Sequence, residues 1–581
     1  MRLWPAVGRP FRRPLPARGA DVLGERLRGV VARRGAKRTD LRRAERVLEA
    51  ARTLRDVSER ALDDAITRAR EHVVLGRDSH EAVDAASAVV YEVVRRTLGL
   101  ELHREQVLGG LAMADGSCIE MATGEGKTVT GILPAALDGW IGRGVHVVTV
   151  NDYLAARDAE TTGPAYARLG LSVGVIQDAT EPLERREAYA RDITYAADKQ
   201  VIFDFLRDRL ASPVRQRLAS LLIEQMLEYE GAERDRPWDR AVVQRGLHAA
   251  IVDEADSVLI DEAVTPAIIG IDRQVEGGTD DLMAHHHAAA ALAKELTEDE
   301  HFIVDRRLRR VRLNDTGRAW LAERAASLPA FWAGPNRREE LIVQALSARV
   351  LYLVGEDYVV RDGEIVIVDR STGRILEGRQ WQLGVHQAVE AKEGLESLSA
   401  ARETHAQVSY QRFFQRYPRL SGMSGTVWEV GDELWRDHGL PVVRIPTHRP
   451  IARKRARDRV YRTEQTKLDA MVERIVHWHT MGRPVLVGTR SVNASEALGE
   501  ALSERGVPCR VLNAVREAEE AEIIAEAGRR GAVTVATNMA GRGTDIKLDD
   551  QTRALGGLVV ISGERNDEWR VDRQLYGRSG R

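Results

Sequence analysis

Met121-Ala122-Thr123-Gly124-Glu125-Gly126-Lys127-Thr128 decides how this chain is read. It follows the short segment Ser117 to Glu120 and runs into Val129 to Leu137, which reads as the start of a helix. A glycine-rich turn that opens a helix aims successive backbone N–H groups at phosphate oxygens. Gly124 and Gly126 remove the Cβ atoms that would block that approach. Lys127 can reach the β and γ phosphates, and the Thr128 hydroxyl can ligate Mg²⁺. The strict pattern, with glycine in its first place, is not met, because Met121 stands there.

Upstream, Gln106 lies about 20 residues before the loop, where its amide could read adenine by donating and accepting at once. Residues 21 to about 80 carry Arg, Ala, Leu and Glu at helical spacing, and a second helical stretch begins at Val89 and ends near Gly99. Downstream, Gly144 to Val150 reads as a buried parallel strand, with Asn151 capping the next helix. Leu171 to Ile176 and Asp192 to Ala196 read as further strands. Strands alternating with helices predict an α/β sheet.

Ala249-Ala250-Ile251-Val252-Asp253-Glu254-Ala255-Asp256 is an apolar strand that ends in acids. Carboxylates at that edge of a parallel sheet stand where such folds bind ligands. Asp253 is suited to hold Mg²⁺ through water, and Glu254 to orient and deprotonate the attacking water. The texture then changes. His285-His286-His287 points in different directions on a helix, and Asp357 to Asp369 carries an Asp-Gly turn between apolar runs, a hairpin signal. Residues 265–396 are read as an inserted domain. Ser421 to Thr426 resumes the first domain and reads as a hinge.

Pro446 to Pro450 is a linker. Pro484 to Thr489 and Ala532 to Thr537 predict a second α/β domain. That domain brings Asn538 to Asp545, a glycine-rich turn with Arg542 and Asp545, and Gln574 to Arg581, with Arg578 and Arg581 set among glycines. Such arginines can reach across a cleft and neutralise charge on a transferred phosphoryl group. Two lobes closing on ATP make a motor.

Size and composition agree with this. At 581 residues the chain has room for about three to five domains. A net charge of −2 gives no global signal for nucleic acid, and two distant cysteines, Cys118 and Cys509, fit a reducing compartment. The basic, proline-broken N-terminus lacks the apolar core of a secretory signal. It reads as a disordered arm or as a contact with an anionic phospholipid surface.

From about residue 85 onward the chain resembles the SecA preprotein translocase ATPases. The family writes its P-loop with methionine first, as Met121 is here. Val145 to Asp158, Ile251 to Ala263, Ile365 to Gly394, Ser421 to Thr426, Pro484 to Ser491 and Thr537 to Ile546 are all close to family motifs. The resemblance implies two RecA-like P-loop domains of the superfamily 2 helicase type. By residue number these are 81–264 with 397–445, and 446–581, with 1–80 as arm and helical lead-in. It implies that 265–396 is the preprotein-crosslinking domain. It further implies that Gln106, Gly124, Glu125, Gly126, Lys127, Thr128 and Asp545 contact ATP, and that Arg578 and Arg581 act from the second domain. Expected partners are unfolded preproteins, the SecYEG channel, and a second copy or a housekeeping SecA, at the cytoplasmic face of the cell membrane, with no nucleic acid.

Departures are Val264, Tyr576, Val515, Glu517 and His103, where the family usually has Arg, Arg, Lys, His and an aromatic residue. They favour an accessory member over a housekeeping one. The chain stops at Arg581, inside the last motif, before the family's helical scaffold and two-helix finger. The expectation is a shortened motor that binds and hydrolyses ATP but does not translocate alone. The alternative is a superfamily 2 nucleic-acid helicase, which shares the Asp-Glu-Ala-Asp motif. A third reading is a non-catalytic relic.

Overall fold

The computed structural model describes residues 32–76, 79–211, 242–263, 265–272, 279–306, 309–325, 328–361, 363–368, 375–376, 380–381, 384–395, 402–512, 523–524, 526–537, 546–566 and 568–580. Its first sheet has eight strands, in the order Arg33–Gly35, Val442–Arg444, Cys118–Glu120, Arg419–Ser424, Ala249–Asp253, Val145–Thr149, Ile193–Ala197 and Val173–Ile176. Every neighbouring pair is parallel. A parallel sheet is covered on both faces, so its strands read as continuous apolar runs. Val145–Thr149, Ile193–Ala197 and Ala249–Asp253 are buried at every position.

Helices Arg38–Thr53, Glu59–Gly76 and His80–Leu98 bury stripes at three- and four-residue spacing, such as Leu62, Ile66, Ala69 and Val73. These stripes join one core with Leu111, Trp140 and Val147. Gly99 ends the third helix in the left-handed conformation, φ 67°. The expectation of helix throughout 21–80 needs one correction: Arg33–Gly35 is an edge strand paired with Val442–Arg444. Its partner lies far along the chain, so local spacing carries no sign of it. The basic arm lies outside the described residues.

Ser421 to Thr426 ends a strand and bonds Asp256 through Ser424 and Thr426. Arg419–Ser424 is a central strand between Cys118–Glu120 and Ala249–Asp253. A Cβ on Gly422 would stand 2.9 Å from the Ala255 Cβ, so the small residues there serve close packing.

Between two adjacent strands of this sheet, Ala249–Asp253 and Arg419–Ser424, the chain leaves and returns through an antiparallel ribbon. Pro266–Asp272 pairs with Arg402–Ser409, with Pro266 opposite Ser409. Beyond it, helices Thr279–Glu295, Pro335–Leu351 and Val385–Lys392 enclose separate cores, one around Phe302, Trp332, Ile342 and Leu346. The hairpin forms as read: Tyr358–Arg361 runs antiparallel to Glu364–Val368, and Gly363 takes φ 79° at the turn. His286 is buried while His285 and His287 are not, as consecutive helical positions require.

The second sheet is also parallel, in the order Arg510–Leu512, Val533–Thr537, Val485–Thr489 and Val559–Ser562. Residues 446–463 reach it without helix or strand, and Thr463 caps the helix Glu464–Thr480. Helix Trp569–Tyr576 of this lobe returns to the first.

Candidate nucleotide site

The loop leaves the C-terminal end of Cys118–Glu120 and enters the helix Lys127–Thr130 through Gly126, φ 88°. A Cβ there would stand 2.4 Å from Gln106 Nε2, so only glycine fits without displacing that amide. Gln106 Nε2 donates to the Glu125 carbonyl at 3.0 Å, and its Oε1 accepts from His103 N at 2.9 Å. The amide expected to read adenine therefore braces the loop in this structure. Helix Arg104–Ala114 lies close beneath: a Cβ on Gly109 would stand 2.8 Å from Thr130 Cγ2. Glu125 Oε2 accepts from His448 N at 2.9 Å, and the His448 ring stacks on His103 at 3.7 Å. The loop is thus tied to the segment that joins the lobes.

Lys127 Nζ donates to Glu254 Oε1 at 2.9 Å. Burial works against the lysine charge, but Glu254 and Asp253 more than offset it and raise its pKa. Asp253 ends its strand beside this pair. Burial, with the nearby carboxylates of Glu254 and Asp158, holds its carboxyl above the ordinary range against the pull of Lys127. Glu254 has φ 51°, a left-handed conformation that costs a non-glycine residue about 1 kcal/mol or more. Its backbone turns sharply off the strand, and its carboxylate meets both Lys127 and the Ser424 hydroxyl, at 3.4 Å.

Asp256 is fully buried and gathers both lobes. It accepts from Ser424 Oγ, Thr426 Oγ1 and Gln574 Nε2, each at 2.7 Å. Gln574 belongs to the second lobe. On the same helix Arg570 pairs with Asp261, and Arg573 donates to Glu120 at 3.0 Å and pairs with Glu429. Gly577 follows, and a Cβ on it would stand 3.5 Å from Thr123 Oγ1. The last motif therefore lies against the P-loop, with half-buried Arg578 the next residue.

Thus Gln106 braces the loop, Lys127 of that loop meets Glu254 next to Asp253, and the turn carrying Arg578 lies beside Thr123. Arg542, Asp545 and Arg581 lie outside the described residues, as do Val264, Val515 and Glu517. Sequence reading missed Glu120, Asp256, Arg570 and Arg573 as interlobe contacts. One signal was present: Arg570, Arg573 and Gln574 share a helix face at i, i+3 and i+4.

The donor set fits a nucleotide triphosphate and a hard cation. Glycine-cleared backbone, a largely covered lysine, a hydroxyl at Thr128 and oxygen ligands at Asp253 are what phosphate and Mg²⁺ require.

Two parallel sheets with a P-loop on one and an arginine-bearing helix from the other define a two-lobed, RecA-like nucleotide-binding protein. The family model for the SecA DEAD-like domain matches residues 29–435, and that for the SecA P-loop domain matches 450–555. The chain belongs to the SecA family. It is 47% identical to the Bordetella avium protein translocase subunit SecA 2, over 90% of this chain and 78% of that one. It is 40% identical to the SecA 2 of Chlorobium chlorochromatii, over 99% and 85%. Against the SecA of Rubrobacter xylanophilus it is 42% identical over 91% of this chain and 61% of that one. These matches favour the SecA reading over the helicase, and similarity to two proteins named SecA 2 agrees with an accessory member.

Proposed function

We propose that this chain is the ATP-hydrolysing part of a SecA-type protein translocase, using Mg²⁺·ATP to drive unfolded preproteins through the SecYEG channel. The observation that carries it is the Lys127–Glu254 pair beneath a second-lobe helix whose Gln574 is bonded to Asp256. Lys127 and the glycine-cleared N–H groups bind the β and γ phosphates. Mg²⁺ held by Thr128 and Asp253 would neutralise phosphate charge. Glu254 accepts the proton of the attacking water once Lys127 has turned to phosphate. Arg578, with Arg581, Arg542 and Asp545, completes the site from the second lobe. Closure and reopening then move the lobes against each other.

Residues 265–396 act as the preprotein-crosslinking domain. The ribbon Pro266–Asp272 with Arg402–Ser409 supports this, because it carries that unit directly from strands flanking the acids. No helix among the described residues is long and apolar enough to cross a membrane. The reading is a peripheral protein on the cytoplasmic face, alone, as a dimer or paired with a housekeeping SecA. An anionic phospholipid surface is supported by the linker. Residues 448–460 are all exposed, and Arg449, Lys454, Arg457, Arg459 and Arg462 carry no ion pair among the described residues.

The test is ATP turnover by the purified chain with and without an unfolded preprotein. Stimulation by preprotein and its loss in Glu254→Gln support the reading. Stimulation by RNA alone favours the helicase, and ATP binding without turnover favours the relic.

A further inference from the structure

From the second-lobe helix, Arg573 reaches the strand feeding the P-loop. Its guanidinium donates to Glu120 Oε1 at 3.0 Å and to the Gly425 carbonyl at 3.4 Å, and pairs with Glu429. Glu120 is 4% exposed and is the last residue of Cys118–Glu120, directly before Met121. Its carboxylate is held rigidly by other groups of the first lobe. Oε1 also accepts from Arg444 Nε at 2.8 Å, and Oε2 accepts from Trp428 N at 2.7 Å. The Arg444 guanidinium in turn lies 4.2 Å from the centre of the Trp428 ring. Arg573 therefore grips a fixed anchor at the root of the loop.

The far end of the same helix lies beside the loop. Gly577 takes φ −62°, continuing the helical path, and a Cβ built on it would stand 3.5 Å from Thr123 Oγ1. Arg578 N donates to the Leu575 carbonyl at 3.1 Å, so Arg578 is rigidly attached to the turn after the helix. A helix of this length is a stiff lever. Fixing Arg573 on Glu120 fixes the distance of Arg578 from the phosphate-binding backbone. Burial weakens the guanidinium charge, but Glu120 and Glu429 more than restore it, so the grip is charge-assisted and partly shielded from water.

Tyr576, one turn further on the same face, places its ring against Trp569 and turns its carbonyl to Arg453 Nη1 at 2.8 Å. Of the two arginines this helix turns to the first lobe, Arg570 pairs with Asp261, and Arg573 is the one that meets Glu120.

We propose that Arg573 is a positioning residue for ATP hydrolysis: by holding the second-lobe helix on Glu120 it sets where Arg578 stands over the P-loop. This rests on the ATPase reading above. Arg573 touches no phosphate position, so its loss acts on turnover and spares ground-state binding, which Lys127 and the loop backbone supply.

Arg573→Gln, Glu120→Gln and the double variant are to be compared with the full chain for Mg²⁺·ATP turnover, KM and thermal midpoint. The expected result is a kcat lowered about ten- to a hundredfold in each single variant, with KM within about threefold. The double variant falls no further than the worse single. Restoring a cation one turn on, in Arg573→Gln/Tyr576→Arg, or keeping one in Arg573→Lys, recovers part of kcat. Wild-type kcat in Arg573→Gln, or losses that multiply in the double variant, overturns the proposal. If a single variant unfolds, Arg573→Lys and Glu120→Asp carry the comparison: kcat at the wild-type level in both overturns it, and a graded loss at unchanged KM supports it. Absence of turnover in the wild-type chain is a failure of the ATPase reading and is seen before any variant is made.

Discussion

Lys127 Nζ stands 2.9 Å from Glu254 Oε1, and both side chains are nearly out of solvent, at 11% and 9% exposed. The cation proposed to hold phosphate and the carboxylate proposed to take a proton are paired with each other. A triphosphate must take Lys127 away from Glu254, and that exchange leaves the carboxylate facing the water. In the proposed ATPase, Glu254 is both the competitor of the γ phosphate and the base.

Glu254→Gln removes the competitor's charge along with the base. ATP should bind as tightly as to wild type or several-fold tighter, while turnover falls by about a hundredfold or more. Isothermal titration and a phosphate-release assay read the two effects separately.

Lys127→Ala leaves the Glu254 carboxylate buried with its cation gone. Breaking one side of a buried pair costs about 3–5 kcal/mol, whereas removing both charges costs far less. Denaturant unfolding without nucleotide should show the large loss in Lys127→Ala and recovery of most of it in Lys127→Met/Glu254→Gln.

Gln574→Ala withdraws the second lobe's amide from Asp256, which keeps Ser424 and Thr426. A lost bond to a buried carboxylate is worth about 1.5–3 kcal/mol. Stability should drop by that order, and preprotein stimulation of turnover should fall more than basal turnover, because the bond joins the lobes. Equal proportional loss of both would place Gln574 in the chemistry and not in the coupling.

The nucleotide loop and the strand end Asp253–Glu254 were legible because phosphate chemistry fixes residue type at short spacing. The buried strands were legible because a parallel sheet demands β-branched runs such as Val145 to Thr149. Arg33–Gly35 was not, since a three-residue edge strand has no period of its own and its partner is Val442–Arg444. The polar relay Glu254–Ser424–Asp256–Gln574 was invisible for the same reason. Its members are brought together by sheet order, and each alone reads as a cap or a solvated side chain. At Gly422 the small residue serves tight packing, which its type alone does not separate from bending.

His146 sits buried in the central sheet with Nδ1 2.6 Å from the Tyr417 hydroxyl. Burial, aided by the Arg245 charge, pushes its pKa down from 6.5 to about 3. A depressed folded-state pKa gives stability that is present above 6.5 and lost as pH falls toward 3. The slope from this one group reaches about 1.4 kcal/mol per pH unit. The unfolding free energy of His146→Asn should therefore fall less than that of wild type between pH 7 and pH 4.5. Parallel profiles would show that His146 does not titrate on unfolding.

The central claim is that ATP lies between the two lobes, with Lys127 and Asp253 on one side and Arg578 on the other. The most direct measurement is single-turnover hydrolysis by Arg578→Gln at saturating Mg²⁺·ATP, beside its ATP dissociation constant. The account predicts affinity within about threefold of wild type and a rate lower by about a thousandfold, as for an arginine that meets charge only in the transition state. A rate equal to wild type would contradict it, because the second lobe would then have no part in the reaction.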